Sequence, residues 1–567
     1  MSENFPINWL DEIVEKILER NEPIITLATG KTPSGYIHLG ILREIIICDS
    51  IRRILEIKGK SVRFFLFFDS LDAAVRFPDY IDKEFQKKHL GKPFSYIPCP
   101  FQDCQCESWA QHFGNDLSST FPDFGIQTEI VWTHELYQKR EMQEKIKIAL
   151  DNTKEIKEII QKYLLPTLDE TNKAKFLEMQ KSWLPAMVIC EKCDKIQHRE
   201  NDGSISPNRA INYLKDELKV TYKCTSCGHT GEVSIYSGKL KLNWRVDWPA
   251  KWALYKTMCE PAGKDHSVKG GAYDTGLEIC EKVYHYIGPV TVPYEWLRLG
   301  DRDMKTSKGI VFTPKKYLNI ADPEVFRSII LRTNPLKHIS FRIEELPQYY
   351  DFYERMENIY FSKEDILGKE IDELKYIFPL TQIHEVTAKE TYRIPFKLLI
   401  FLSQTQNILS FDQLYEKAKK VVSSKNTEKK LTKDHFRDLL DRTTNWLELV
   451  KEIIDSVEDG KVKREILSKI DIFTIKEDID KIILDSLDKN QKEGIKRLRD
   501  FLLELEKRDA DIIQNKIFTI AKEEIGTPPR KLFEAIYQLI LGKKSGPRLG
   551  AFLSLLDKNW LLDRLDI

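Results

Sequence analysis

The segment that most constrains the fold is residues 24–57, where an apolar run leads through a glycine-containing turn into a helix-like run. Residues 24–28 are β-branched or apolar and predict a strand, and residues 39–57 have helical periodicity. The turn between them contains Pro33, Ser34 and Gly35. A helix that starts after such a turn offers backbone N–H groups that bind phosphate. The segment therefore predicts the first strand and helix of a Rossmann-like parallel sheet.

The alternation of strands and helices extends beyond this segment. Further strands are predicted at residues 62–68, 127–132 and 291–296, and a long helix at residues 138–163. Asp69 and Asp72 follow the second strand, at the edge where parallel sheets bind ligands. From about residue 320 the pattern is helical almost to the end of the chain.

Composition limits the classes of function. The 567 residues contain 88 Lys and Arg and 88 Asp and Glu, so any nucleic-acid binding must come from local basic patches. Acidic residues in the first twenty positions argue against a signal peptide, and no apolar run is long enough to span a membrane. Ten cysteines without a secretion signal indicate metal binding in a reducing compartment. We therefore expect a cytoplasmic protein.

Two pairs of cysteines form the stronger of two predicted metal sites. Cys190 and Cys193 form one C-x-x-C pair, Cys224 and Cys227 form the other, and thirty residues separate the two pairs. Four thiolates at this spacing suit tetrahedral Zn²⁺ and leave no open position for water. Gly228 permits the sharp turn after the second pair. We expect a structural zinc ion here.

A tighter cluster predicts the second zinc site. Cys99, Cys104 and Cys106 are followed by His112 on an expected helix, and Cys/His mixtures of this kind can close a four-ligand shell. The alternative is one or two loop thiols beside a surface histidine.

These patterns predict an α/β fold in which a Rossmann-like parallel-sheet catalytic domain with zinc-binding insertions precedes an all-α C-terminal region. The expected divisions are residues 1–98 for the first half of the catalytic domain, 99–240 for the insertions, 241–325 for its second half, and 326–567 for the helical region.

Several further segments have the composition of a nucleotide site. Residues 263–266 (GKDH) and 270–276 combine glycines, which admit a ligand close to the backbone, with carboxylates that accept bonds from ribose hydroxyls. Residues 244–249 (WRVDWP) form a turn-like stretch rich in aromatic and charged groups, and residues 293–296 (PYEW) follow a strand. Residues 304–309 (MKTSKG) place hydroxyls and two lysines on a loop that suits a mobile phosphate clamp.

Together these motifs resemble those of class I lysyl-tRNA synthetases. The matching stretches run from near the N-terminus to near the C-terminus: PSGYIHLGILRE, DSLDAAVRFP, PCPFQDCQCESWAQHF, WRVDWPAKW, EPAGKDHSVKGGAYDTG, MKTSKG and GPRLGAFL. The resemblance implies ATP-dependent ligation of L-lysine to tRNA(Lys) through a lysyl-adenylate, with Mg²⁺ accompanying ATP. It also implies that the helical region holds the anticodon. No membrane is involved, and a monomer is favoured.

The resemblance also implies roles for particular residues. Those implied for catalysis are His38, Gly40, Lys305, Ser307 and Lys308. Those implied for ATP binding are Pro33, Ser34, His38, Gly40, Gly263, Asp265, His266, Met304 and Ser307. Those implied for lysine binding are Thr29, Gly30, Glu44, Trp244, His266 and Tyr294, with Glu44 as the acid for the ε-ammonium.

Departures from the family pattern keep two alternatives open. Asp303 stands where the family loop has a leading lysine, and Lys305 takes a serine position. The DSLD stretch is less acidic than the family's pattern. One alternative is therefore a non-catalytic, zinc-stabilised RNA-binding paralogue. The other is a related class I synthetase such as one for glutamate, although the negative charge of Glu44 would repel an acidic substrate.

Overall fold

The structure is a computed structural model. It describes residues 8–200, 202–300, 304, 311–362, 368–386, 393–423 and 431–567. Asp303, Lys305, Ser307 and Lys308 lie outside the described residues. The chain divides into two compact units: the first comprises Met1–Leu318, Asp322–Phe341 and Glu364–Val386, and the second comprises Asn319–Ala321, Arg342–Lys363 and Thr387–Ile567.

All fourteen strands of the described residues lie in the first unit. They are β1 (Ile24–Lys31), β2 (Ser61–Phe68), β3 (Glu129–Trp132), β4 (Ala186–Val188), β5 (Gln197–Arg199), β6 (Ile205–Pro207), β7 (Ala210–Leu214), β8 (Lys219–Lys223), β9 (Thr230–Ser234), β10 (Leu240–Leu242), β11 (Thr257–Gly263), β12 (Val290–Tyr294), β13 (Leu297–Leu299) and β14 (Ile339–Phe341).

Five of these strands form the central parallel sheet in the order β12-β11-β1-β2-β3. Strands β1 and β2 are buried in near-continuous runs, as expected where helices cover both faces of a parallel sheet. The predicted Rossmann-like sheet is therefore confirmed. Its chain order reverses between β1 and β11, and such a switch point opens a crevice at the carboxyl ends of the strands.

Strand β11 was not predicted individually. It contains Glu260 and Pro261, residue types that are depleted in strands. Pro261 lies beyond Cys259, the last residue of β11 in register with β1, so its missing N–H costs no bond to that strand.

Fourteen helices of the described residues belong to the first unit. Up to residue 332 they are α1 (Trp9–Leu18), α2 (Leu42–Ile57), α3 (Lys83–His89), α4 (Trp109–Ser118), α5 (Thr133–Leu136), α6 (Arg140–Asp151), α7 (Thr153–Leu164), α8 (Glu170–Lys181), α9 (Trp244–Tyr255), α10 (Lys264–Ser267), α11 (Ala272–Lys282), α12 (Pro314–Leu318) and α13 (Pro323–Arg332).

Two helical predictions were wrong in detail. The long helix expected at residues 138–163 is interrupted at Asn152 and forms α6 and α7. The turn expected at residues 244–249 is the first half of α9, with Pro249 inside the helix. Val246, Pro249, Ala250 and Ala253 are all buried at helical spacing, and the burial of this face outweighs the hydrogen bond that the proline removes.

The insertion between β3 and α9 is built from small sheets. Strands β7, β8 and β9 form an antiparallel sheet, while β4 pairs with β10 and β5 with β6. The cysteine pairs lie in the loops beside these strands. The buried residues of the insertion join the same hydrophobic core as the neighbouring helices α6, α7 and α9.

Beyond residue 332 the structure is mainly helical. The helices are α14 (Leu346–Phe361), α15 (Lys369–Thr381, in the first unit), α16 (Phe396–Ser403), α17 (Phe411–Ser423), α18 (Lys433–Ser456), α19 (Gly460–Lys469), α20 (Lys481–Ser486), α21 (Lys489–Glu504), α22 (Ala510–Thr519), α23 (Pro529–Leu541), α24 (Leu549–Leu555) and α25 (Lys558–Arg564). A π-helical segment, Ile520–Glu524, follows α22.

Trp446 of α18 belongs to the buried core of the second unit. Its ring is fully buried, and its Nε1 donates to the carbonyl of Ile343 at 2.8 Å. Every regular element of the described residues beyond Phe341 is helical, which confirms the expected helical C-terminal region; strand β14 (Ile339–Phe341) lies within the expected bounds of residues 326–567 and departs from an all-α region. None of the described helices is long and apolar enough to cross a bilayer.

Candidate active site

A cleft of about 420 Å³ lies at the carboxyl edge of the central sheet. Its walls come from the ends of four adjacent strands: Gly30 of β1, Asp69 after β2, Gly263 of β11 and Tyr294 of β12. Helices α2 and α9 contribute Glu44 and several aromatic side chains. The switch point of the sheet therefore brings residues from distant parts of the chain into one site.

The loop after β1 is fixed by contacts on both sides. Trp109 of α4 is fully buried and donates from Nε1 to the carbonyl of Pro33 at 2.9 Å. The N–H of Leu39 donates to the carbonyl of Phe312 at 2.7 Å. A Cβ on Gly40 would lie 2.9 Å from Nδ1 of His38, so glycine at this position lets the imidazole keep its place.

His38 is a neutral hydrogen-bond donor in this loop. Its Nδ1 accepts from the N–H of Gly40 at 3.1 Å, which places the ring proton on Nε2. Burial lowers the pKa of His38 to about 3, and the nearby charge of Lys31 acts in the same direction. At neutral pH the ring can therefore offer one N–H to an anionic ligand without carrying a charge.

Glu44, in the first turn of α2, is the buried acid of the cleft. Its carboxylate accepts from the hydroxyls of Thr29 and Tyr294. Burial raises its pKa, while these two hydroxyls and the charge of Lys31 oppose that shift. A cationic ligand would supply the missing countercharge at this carboxylate.

An aromatic wall faces this acid. Trp244 and Trp248 of α9 lie edge-on to His266, with ring centroids 5.7 Å and 5.8 Å away. Trp244 is 46% exposed, which is high for so large a side chain. Together with Trp296 and Tyr294, these rings offer apolar surface to the stem of an extended ligand.

Two buried lysines form ion pairs with three of the other carboxylates of the cleft. Lys251 lies 2.8 Å from Asp69 and 3.1 Å from Asp247, and Lys241 lies 2.6 Å from Asp72. Burial is the largest single influence on the pKa of Lys251 and acts to lower it, but the attraction and hydrogen bonds of Asp247 and Asp69 together outweigh burial and raise the pKa. Asp69 and Asp72 thus enter the cleft as members of ion pairs.

Glu260 is a second buried acid in the cleft. Its two carboxylate oxygens accept from the Nε1 atoms of Trp248 and Trp252, at 2.8 Å and 2.6 Å. Burial raises its pKa to about 7 despite these two donors. This carboxyl therefore changes its charge near neutral pH.

The four-cysteine cluster has the geometry of a metal site. The four Sγ atoms lie within 4.8 Å of one another, with Cys190 3.7 Å from Cys227 and Cys193 3.6 Å from Cys224. A tetrahedral ion with bonds of about 2.3 Å to sulfur requires sulfur separations of about 3.8 Å. After each pair the next residue has a positive φ, 58° at Asp194 and 72° at Gly228, so the two halves form the same turn.

The second cluster differs from the predicted set. Cys99, Cys104 and His112 bring their ligand atoms within 4.8 Å of one another, with Cys104 Sγ 3.2 Å from His112 Nδ1. Cys106 is not among the three residues whose ligand atoms all lie within 4.8 Å of one another, although its thiol contacts that of Cys104 and its N–H donates to the Sγ of Cys104 at 3.4 Å. The ring of His112 also packs against Tyr36, so this cluster supports the loop that follows β1.

Two family models match this chain. Residues 7–383 match a family described as tRNA synthetases class I (K), and residues 413–567 match an anticodon binding domain. The chain belongs to the class I lysyl-tRNA synthetase family. The first match covers the central sheet, the cleft and both cysteine clusters, and the second lies within the helical unit.

Full-length relatives agree with this membership. A lysine–tRNA ligase of Methanocaldococcus jannaschii is 34% identical over 573 residues, covering 99% of this chain and all of the relative. One from Pyrococcus horikoshii is 30% identical, covering 99% of each chain. A solved glutamate tRNA ligase of Elizabethkingia meningosepticum aligns over 96% of this chain and 99% of its own, at 12% identity and a TM-score of 0.39.

The structure gathers most of the proposed synthetase residues. Gly30, Glu44, Trp244, Gly263, Asp265, His266 and Tyr294 line the cleft. The hydroxyl of Thr29 donates to the carboxylate of Glu44, which lines the cleft. The adjoining loop contains Pro33, Ser34, His38 and Gly40. Met304 is buried and does not line the cleft. Sequence reasoning assigned no role to five charged residues of the cleft: Lys31, Lys241, Asp247, Lys251 and Glu260.

Proposed function

We propose that this protein activates L-lysine with ATP and transfers it to tRNA(Lys) for protein synthesis. The observation that carries this proposal is the position of Glu44. It is a buried carboxylate without a cationic partner within 4.0 Å among the described residues, held in a cleft beside the loop of His38. A lysine ε-ammonium would complete this site.

Recognition of lysine follows from charge and shape. The ammonium would sit against Glu44 and the hydroxyl of Tyr294, with the methylene stem along Trp244 and His266. Gly30, at the end of β1, would let the α-amino and carboxylate ends approach the backbone. Glutamate would bring its carboxylate against Glu44, and this repulsion argues against the glutamate alternative.

The adenylation step needs positioning and charge stabilisation. A carboxylate oxygen of lysine attacks the α-phosphorus of ATP, the bond from that phosphorus to the bridging oxygen of the β-phosphate breaks, and pyrophosphate leaves with the electron pair. His38 would donate its Nε2–H to the phosphates, and Gly263 and Asp265 would hold the ribose. Mg²⁺ bound to phosphate oxygens would neutralise part of their charge. Lys305, Ser307 and Lys308 are proposed to clamp the leaving pyrophosphate.

Zinc is proposed at both cysteine clusters. The sulfur separations in the four-cysteine cluster fit Zn²⁺, and the complete shell of four thiolates gives it a structural role. At the second cluster Cys99, Cys104 and His112 would hold the ion beside the loop of Tyr36. In the second unit, the helices matched by the anticodon-binding family would hold unpaired anticodon bases. We expect the enzyme to act in the cytoplasm, as a monomer.

Amino-acid-dependent ATP–pyrophosphate exchange tests this function. The assay is run with each standard amino acid, with and without tRNA. We expect exchange with lysine and with none of the other amino acids. Exchange with a different amino acid would reassign the pocket, and no exchange under any condition would favour an RNA-binding paralogue.

A further inference from the structure

Lys31 is the last residue of β1 and lines the cleft. It follows Gly30 directly and precedes the turn that leads to His38. Nothing in the sequence patterns singled it out, because it lies between two recognisable stretches. Its position at the carboxyl end of the first strand nevertheless places it at the switch point of the sheet.

Lys31 differs from the other two lysines of the cleft in lacking a carboxylate partner. Lys241 and Lys251 each lie within 3 Å of an aspartate. In the part of the chain that the structure describes, no carboxylate lies within the 4.0 Å of Lys31 Nζ that would make an ion pair. A partly buried cation in this state is costly to the empty protein, and such groups occur where a ligand supplies the opposite charge.

The electrostatic neighbours of Lys31 place it between the two halves of the site. Its charge helps to lower the pKa of His38, in the phosphate-side loop. Burial lowers the pKa of Lys31, and the carboxylates of Glu44, in the proposed lysine pocket, and of Asp69, after β2, oppose that shift. In a synthetase the amino-acid carboxylate and the α-phosphate must meet between those same two places.

We propose that the ammonium of Lys31 binds the anionic oxygens at the reacting centre, on the carboxylate of lysine or on the α-phosphate of ATP, and is a catalytic residue of adenylate formation. This inference depends on the proposed function. As the carboxylate oxygen bonds to the α-phosphorus, negative charge accumulates on the non-bridging phosphate oxygens. A fixed cation there stabilises that charge and takes no proton.

The test compares Lys31→Met, Lys31→Arg and a control, Lys87→Met, which makes the same change at an exposed position of α3. Exchange kinetics give kcat and KM for lysine and ATP. Calorimetry measures binding of lysine and of lysinol, which lacks the carboxylate. Loss of one group that stabilises a transition-state anion reduces kcat about 100-fold or more, and we expect this for Lys31→Met. The arginine variant should recover part of the rate, and the control should match the wild type.

The calorimetric binding measurements identify whether Lys31 contacts the carboxylate of lysine or the α-phosphate of ATP. Unchanged lysine affinity together with the loss in kcat assigns Lys31 to the α-phosphate. Weaker binding of lysine with unchanged binding of lysinol assigns it to the carboxylate.

Three results would overturn the proposal. The first is a Lys31→Met rate close to that of the wild type. The second is weaker binding of lysinol, which would mean that the pocket itself is disturbed. The third is a lower melting temperature or failure to fold, because removal of an unpaired cation should not destabilise the empty protein. Wild-type exchange tests the proposed function separately, and its absence would end both proposals.

Discussion

Replacement of Glu44 by glutamine isolates the charge that the lysine pocket offers. The side chain keeps its size, and its remaining carbonyl oxygen can still accept from Thr29 or Tyr294. The substitution removes only the negative charge of Glu44, a residue that is 6% exposed and lies in the first turn of α2. Lysine would then bring an ammonium into the cleft without its counter-ion.

The magnitude follows from the burial of this group. Removing one partner of a buried, hydrogen-bonded charge pair costs about 2–5 kcal/mol, and about 1.4 kcal/mol corresponds to a factor of ten. A loss of about 3 kcal/mol predicts that KM for lysine rises roughly 100-fold. In the proposed arrangement ATP would contact the other half of the site, so its KM should change by less than about threefold on the same reasoning.

Steady-state pyrophosphate exchange with either substrate varied measures both constants. Glu357→Gln is the matched control: it neutralises another buried glutamate, paired with Arg393 at 3.0 Å in the second unit. The control should leave both KM values unchanged. An unaltered KM for lysine in Glu44→Gln, or an equal rise in both constants, would refute the assignment of Glu44 to the ammonium.

Two further predictions concern metal content and pH. Metal analysis should find close to two zinc ions per chain in the wild type, one in Cys104→Ser and two in Cys106→Ser. Cys106 should be dispensable because it lies outside the group of three ligand residues. Equal loss of metal in both variants would mean that Cys106 is a ligand after all. Burial raises the pKa of Glu260 to about 7, so the folded state retains a proton there that the unfolded state releases, and this stabilising contribution is lost as the pH rises toward 7. The Glu260→Gln variant places an amide N–H against one of the two tryptophan donors, so its melting temperature should be lower than that of the wild type. This difference in melting temperature should become smaller from about pH 5 to about pH 8, because the wild type loses its contribution over that range. A difference that stays constant would mean that Glu260 does not titrate in this window.

Local patterns were sufficient for much of the fold. The apolar runs of β1 and β2 predict strands because both faces of these strands are buried, and the thiol spacing predicts the four-cysteine cluster. Predictions failed where a residue type opposes the local structure. The stretch that contains Pro249 was predicted as a turn but is the first half of α9, and β11, which contains Pro261, was not predicted; tertiary burial overrode both prolines.

The cleft shows the same division between local and long-range information. Glu44 and the aromatic residues came from motifs that resemble a known family. Asp247, Lys251 and Glu260 lie within such motifs as well, but no motif gave them a role, and Lys241 lies outside all of them. Their significance arises from pairing over large separations, such as the 182 residues between Lys251 and Asp69. An ion pair of this kind leaves no periodicity in the sequence.

The sequence by itself determined the identity of the elements: a parallel α/β domain, a pair of cysteine clusters, a helical C-terminal region and the motifs of one synthetase family. The tertiary structure alone decided which charges are neutralised and which remain available. It pairs Lys241 and Lys251 with aspartates and leaves Glu44 and Lys31 without ionic partners among the described residues. The physical reason is that hydrophobic periodicity is local, whereas the energy of a charge depends on its burial and on neighbours that only the folded chain brings within a few ångströms.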